Sequence, residues 1–421
     1  MKFLFTTFEG GGHVAPALLM ARLVQESGHQ VLVVSDEANR GVAQAEGLGF
    51  APWFTAPNRQ AGGQADDPLK DWRRHWPPAV VKAVCDAVMT GPAADYAADT
   101  AHYITEFKPD LVVSNELLLG VMVAAEALKT PCALLTANLW SYPGRTSLPP
   151  FGPGWPVARN RFEQHRQDAG HQMVGGWYDV GLGDLNRARA AQGLGPLAHT
   201  LDQIKIASTV ILGTSRAFDL PHPDDGLVYA GPLFETNRPA KPHPLIQLDR
   251  RNILLSFSTT YQDQAGLFAR CLRALAPLDA NVIVTTGPAV DPDSLPNSPN
   301  AHIIRYAPHD EIVPWCDLVV SHGGHGTLLR PLRHGVPVLC LTMGRDHPDN
   351  AVRLEHHGAG LRVSQQASAL KIRAKAQQIL NEPQFRALAA TLGHLIDSTS
   401  PSERSTAIRT LEQAAQRRRI D

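Results

Sequence analysis

Short, unbroken apolar runs closed by turn residues recur along this chain, and they constrain its fold more than any other feature. In the first half they cover residues 2–6, 30–34, 111–113 and 132–135. Each is shorter than an ordinary helix and lacks polar alternation, so burial on both faces is expected. Between them lie stretches with helical spacing, such as 16–27. Buried strands alternating with helices argue for a doubly wound parallel α/β sheet. The second half repeats the rhythm at 253–257, 282–285, 303–304, 318–320 and 336–341, with a helical stretch at 262–275. Residues 235–251 carry Pro239, Pro242, Pro244 and several charges without periodicity, which reads as a linker. At 421 residues the chain is too long for one compact core. The expected organisation is a Rossmann-like domain over 1–234, a linker over 235–251 and a second Rossmann-like domain over 252–400. A terminal helix over 401–421 is free to pack back on the first domain.

Composition narrows the function classes. Net charge is −1, so nothing favours electrostatic capture of nucleic acid or anionic lipid. The basic run Arg417-Arg418-Arg419 reads as a solvated helix end. The five cysteines are odd in number and form no CxxC pair, which fits reduced thiols rather than a disulfide framework or a zinc site. The N-terminal residues lack the basic and small-residue signals of a secretory leader. The most apolar stretch, 111–128, is interrupted by Asn115 and Glu116, which argues against a membrane span. A cytoplasmic enzyme, monomeric or homodimeric, without a nucleic-acid partner or stable membrane insertion, is the expectation.

Two segments carry chemistry. The first, Gly10-Gly11-Gly12-His13, joins the first strand to the first helix. Glycines let backbone approach a ligand, and a helix start offers free N–H groups. One reading takes Gly10-x-Gly12-x-x-Ala15 with Asp36 as a dinucleotide fingerprint, hence an NAD-dependent oxidoreductase. The other makes His13 a general base, because imidazole titrates near neutrality and can take a hydroxyl proton. The second segment runs from Tyr306 and His309 through His322-Gly323-Gly324-His325-Gly326-Thr327 to Asp346-His347 and Asn350. Its glycines follow a strand and open a helix, where exposed N–H groups suit a pyrophosphate. His322 and Thr327 can add side-chain hydrogen bonds.

Taken together, these segments resemble the family 1 glycosyltransferases, the UDP-glycosyltransferase superfamily, and within it the bacterial natural-product and macrolide-type members. The resemblance implies the GT-B fold, two Rossmann-like domains facing each other across a cleft. It implies His13 as catalytic base, with Gly12 in its turn. It implies Tyr306 stacking on the nucleobase and His322, Gly324, Gly326 and Thr327 cradling the diphosphate, with His309 and His325 beside them. Ser258 and Thr259 would touch phosphate, and Asp346, His347 and Asn350 would hold the sugar. Three positions depart from the family pattern. Asn115 stands, by offset, where an Asp usually orients the histidine, with Glu116 next to it as the alternative. Arg330 replaces a Glu that binds ribose hydroxyls, and His347 replaces a Gln.

The function these readings imply is an inverting glycosyl transfer, independent of metal and of any other cofactor. It would run from a UDP- or dTDP-sugar to a small hydrophobic acceptor. Trp140, Phe151 and Trp155, in loop-rich stretches, are the candidate acceptor contacts. Asp291-Pro292-Asp293 has the form of a metal-binding DxD but lies among prolines and reads as a surface loop. The alternatives are a sugar-nucleotide epimerase, a lipid-linked glycosyltransferase on the same fold, and the NAD-dependent oxidoreductase.

Overall fold

A computed structural model of the chain describes residues 1–61, 69, 76–144, 147–223, 226–234, 241–257 and 264–416. Ser258 and Thr259, Pro239 with the rest of linker residues 235–240, and the basic run at 417–419 lie outside the described residues. Two wholly parallel sheets form the frame. The first contains β1 (Lys2–Thr6), β2 (Gln30–Ser35), β3 (Gly49–Pro52), β4 (Leu111–Asn115), β5 (Cys132–Thr136), β6 (Thr209–Leu212) and β7 (Leu227–Tyr229). Its order is β3-β2-β1-β4-β5-β6-β7. The second contains β8 (Arg251–Ser256), β9 (Ala280–Thr285), β10 (Ala301–Ile304), β11 (Leu318–Ser321), β12 (Val338–Thr342) and β13 (Gly360–Ser364), in the order β10-β9-β8-β11-β12-β13.

The apolar runs account for this arrangement. Every residue of β4, β5 and β9 is buried, as strands covered by helices on both faces must be. The apolar stretch at 111–128 divides into β4 and the helix Leu119–Ala127, which is buried on almost all sides. Gly120 permits that burial, because a Cβ there would come within 2.2 Å of the Ala93 carbonyl oxygen on the neighbouring helix. Among the described residues no helix is long and apolar enough to cross a membrane.

Strand order places the functional turns. In the first sheet the order reverses at β1 and β4, so a crevice opens at their carboxyl ends. In the second sheet the reversal falls between β8 and β11. The turn after β1 carries His13, Asn115 closes β4 with Glu116 in the turn that follows, and the turn after β11 carries His322. Polar contacts hold the two halves together across the cleft. Arg353 donates to the buried Asp219 carboxylate through Nε at 2.8 Å and Nη2 at 2.7 Å, and Tyr229 donates to its other oxygen at 2.7 Å. Burial alone would raise the Asp219 carboxyl. Arg353, His222 and Tyr229 outweigh it and hold the group well below the usual carboxylate range.

The terminal helix does not begin at Pro401. It runs from Pro383 to Gln416 with Pro401 inside it. Its last turns put Ala407, Leu411, Ala414 and Ala415 into the same core as β1 and the first helix, Val14–Glu26. Glu412 also meets His29 at 2.8 Å. The long helix therefore buttresses both halves.

Candidate active site

A large cavity of about 1490 Å³ lies between the halves. On its first wall, the glycine turn brings His13 to the start of the first helix. Gly11 takes the left-handed conformation, with φ of 71°. A Cβ on Gly10 would strike the Phe8 ring at 2.5 Å, whereas Gly12 faces open space. The His13 ring stacks on Phe8 with centroids 5.2 Å apart. Its Nδ1 lies 3.2 Å from the Asn115 side-chain nitrogen and 3.9 Å from a Glu116 carboxylate oxygen. The side chain keeps 23 % exposure, and it lines the cavity. Burial pushes its pKa down to about 4, with Asp346 opposing and Arg345 reinforcing the shift. Glu116 is 3 % exposed and lines the same cavity; burial raises its carboxyl to about 8. Its Oε2 has no hydrogen-bond partner among the described residues.

The opposite wall is the turn after β11. Ser321 donates its hydroxyl to Thr327 at 2.9 Å, and Thr327 donates to the Gly324 carbonyl at 2.7 Å, so the loop is braced from within. Helix His325–Arg333 then starts with its N–H groups directed at the cavity end of the strand. Gly324 is sterically required, because a Cβ there would lie 2.6 Å from His322 Nε2. Gly326 faces open space. His322 is buried, meets His347 edge-on at 4.6 Å, and has an Nδ1 without a partner among the described residues. Burial, then His347 and Arg345, depress its pKa well below the ordinary value, against Asp346. It is therefore a neutral ring above acid pH. Half-buried His309 and buried His325 are likewise pushed down to about 4, chiefly by desolvation.

The remaining expected residues divide. His309, Gly324, Gly326, Thr327, Asp346 and His347 line the cavity together with Gly12, His13, Phe151 and Trp155. His325 also lines it, but its Nε2 is 2.8 Å from Thr214 of the first half, so it ties the halves together. Asn350 is fully buried and donates to the Gly323 carbonyl and to Asp346, 2.9 and 2.8 Å away. It braces the cradle instead of lining the cavity. Tyr306 stands 77 % exposed and does not line the cavity. Trp140 is also absent from the lining; it packs edge-on against Tyr142 at 5.3 Å, on the core side of its strand end. The apolar end of the cavity is built instead by Phe151, Trp155, Met173, Val174 and Trp177 with Val80 and Val81.

Sequence reasoning missed two groups. Asn138, after β5, donates to Asp346 across the cleft at 2.8 Å. Its signal was its place just beyond the carboxyl end of a parallel strand, where ligands of such sheets bind. Arg345 lines the cavity with a left-handed backbone, φ of 53°, rare outside glycine. Its position in the run Gly344-Arg345-Asp346 carried no such signal. Arg330 lines the cavity and donates to Asp310 at 2.5 Å, so an acid is present near that position as its ion-pair partner.

The fingerprint reading of Asp36 meets a physical obstacle. Its carboxylate is fully buried and accepts the backbone N–H groups of Glu9 and Arg59, both at 2.7 Å. Little of it remains for a ribose. The DxD pair is also engaged at the surface, where Asp291 meets Arg305 at 3.2 Å. Among the described residues no group of three His, Cys, Asp or Glu side chains is placed to hold a metal.

Residues 269–410 match the family model for the C-terminal domain of erythromycin biosynthesis protein CIII-like proteins. The chain is similar to 4'-demethylrebeccamycin synthase of Lentzea aerocolonigenes, 25 % identical over 93 % of this chain and 94 % of that protein. It is also similar to the TDP-daunosamine transferase DnrS of Streptomyces peucetius, 27 % identical over 100 % of this chain and 98 % of its relative. Its fold matches the crystal structure of the glycosyltransferase of kitacinnamycin with a TM-score of 0.73. That match has 18 % identity and covers 98 % of this chain and 99 % of the other.

Proposed function

We propose that this chain, a family 1 glycosyltransferase of the bacterial natural-product branch with the GT-B fold, transfers its sugar with inversion, without a metal, to a hydroxyl of a small apolar acceptor. One observation carries the reading. A base-bearing turn and a glycine cradle at a helix N-terminus line the same cavity from opposite halves of the molecule. His13 takes the proton of the acceptor hydroxyl as its oxygen attacks the anomeric carbon. The bond from that carbon to the diphosphate oxygen breaks on the far face, which inverts the centre. The electron pair leaves on the nucleotide diphosphate. Backbone N–H groups at Gly324 to Thr327 and the unpartnered nitrogen of His322 meet the charge that develops there. Fixed donors at that point supply what a divalent cation would otherwise provide, which supports metal independence.

The donor is a UDP- or dTDP-sugar. Arg330 in place of an acidic ribose ligand favours dTDP, whose deoxyribose lacks the 2'-hydroxyl, and DnrS is named for a TDP-sugar. Asp346 and His347 lie where sugar hydroxyls would be held, and the aromatic end at Phe151, Trp155 and Trp177 suits an apolar acceptor. A cytoplasmic location belongs to the same proposal; five buried free thiols support it. His13→Ala is expected to lower transfer by roughly 10²- to 10⁴-fold, while the nucleotide-induced rise in melting temperature persists. Transfer at the wild-type rate would remove His13 from the mechanism.

A further inference from the structure

The two polar neighbours of His13 present opposite chemistry to it. The Asn115 side-chain oxygen is committed, because it accepts the Leu117 backbone N–H at 3.0 Å. The amide must then point its NH2 at His13 Nδ1, 3.2 Å away. An NH2 group only donates. It therefore selects the imidazole tautomer with a bare Nδ1 and the proton on Nε2. Nδ1 faces Asn115 at the wall, which leaves Nε2 for the cavity side. In this tautomer Nε2 cannot take a hydroxyl proton. Asn115 thus holds His13 idle, and it also opposes the imidazolium that catalysis must form.

Among the described residues, Glu116 is the other polar group that approaches Nδ1. Its Oε1 is 3.9 Å away, its Oε2 is buried without a partner, and it lines the cavity. Resting on the reading of His13 as base, we infer that Glu116, not Asn115, is the positioning residue. As a carboxylate it accepts a hydrogen bond from Nδ1–H, which keeps the proton on Nδ1 and leaves Nε2 free for the acceptor.

The proton count is explicit. In the idle state Glu116 is neutral and His13 carries one proton on Nε2. In the working state Glu116 has released its proton to solvent, and the single imidazole proton sits on Nδ1. During transfer the hydroxyl proton moves to Nε2, the new bond forms at the anomeric carbon, and the diphosphate departs with its electron pair. The imidazolium sits beside the carboxylate until it returns a proton to solvent.

Among the described residues, the titratable groups that act on Glu116 add no competing charge near neutrality. Burial holds Tyr142 and Tyr178 protonated, and it pushes the Cys85 thiol up to about 12. From the other half, Asp346 and Arg345 act on His13 with opposite signs. With burial raising Glu116 to about 8, the switch lies in the mildly alkaline range.

The experiment compares kcat against pH in wild type, Glu116→Gln, and the double variant Asn115→Asp with Glu116→Gln. Nucleotide binding is followed by thermal shift. Wild-type kcat is expected to rise with pH through about 8. Glu116→Gln loses that limb and about 10²-fold in kcat, with nucleotide binding unchanged. The double variant recovers most of the rate, with the limb moved to lower pH, because it places a carboxylate on Nδ1 directly. Glu116→Gln with wild-type rate and limb overturns the inference. Should that variant not fold, Asn115→Asp alone decides: an unmoved limb overturns it. His13→Ala separates the two layers. An active His13→Ala removes the base itself. An inactive one beside an unaltered Glu116→Gln removes only the role of Glu116.

Discussion

Gly324 and Gly326 are two residues apart in the cradle, yet alanine should act on them with opposite signs. A methyl on Gly324 would sit 2.6 Å from His322 Nε2, far inside van der Waals contact. His322 is 5 % exposed and packed against His347, so it has little room to yield. Overpacking of this kind costs about 1–3 kcal/mol. Gly326 lies within the helix His325–Arg333 and a methyl there meets no described residue within 4 Å. Replacing a helical glycine by alanine stabilises by about 0.5–1 kcal/mol. Without nucleotide, Gly324→Ala should therefore melt lower than wild type and Gly326→Ala slightly higher. With nucleotide the order changes. The open space beside Gly326 is where the diphosphate is proposed to lie, so its methyl should displace the ligand. A loss of 1–3 kcal/mol corresponds to about 5- to 150-fold in Kd. Thermal shift with graded dTDP or UDP reads both effects, since a ligand of the folded state raises stability by mass action. A Gly326→Ala protein that gains as much from nucleotide as wild type would refute the placement of the diphosphate.

Three further substitutions test individual side chains. Asp219→Asn leaves the Arg353 guanidinium buried without its charge partner and should cost about 3–5 kcal/mol in urea unfolding. The native Asp219 carboxyl is depressed, so its stabilisation is present above the unfolded value of 3.8 and is lost only as pH falls through its lower folded value; the variant's deficit should therefore persist at pH 4. Equal unfolding midpoints would show that the pair does not hold the halves. Trp155→Ala should lower kcat/KM for an apolar acceptor by about 10- to 100-fold, because Trp155 lines the cavity. Trp140→Ala should reduce stability with acceptor KM unchanged, and a matching rise in KM would mean that the acceptor end has been misplaced.

Much of the frame was legible because burial on both faces writes itself into sequence as short unbroken apolar runs. β1 was expected at its observed bounds, and β4, β5, β9 and β11 were expected within one or two residues. β3 was missed, since Gly49–Pro52 is only partly buried and carries a glycine and a proline. β7, three residues long, offered no pattern either. Pro401 reads as a boundary, so the sequence places the start of the terminal helix later than the observed Pro383. The residue before a proline resists helix, but packing of both flanks against buried faces overrides that local preference.

The residue types at the site were likewise legible, while their partners were not. His13, the glycine cradle and Asp346 announce themselves through spacing after strands. Which neighbour serves His13 depends on a single backbone hydrogen bond, from Leu117 to the Asn115 side chain, and no linear pattern encodes it. Trp140 and Trp155 are the same residue type in similar loops, yet one faces the core and the other the cavity. What the sequence by itself determined is the repeating parallel frame and the chemistry available at its strand ends, because periodicity and residue type are local properties. What only the tertiary structure decided is which groups meet, how the cleft burial depresses His13 and raises Glu116, and which way the Asn115 amide points. The meeting of His13 with Asn115 joins residues 102 positions apart on neighbouring strands, and the amide direction rests on the turn that follows β4; neither is written in periodicity or residue type.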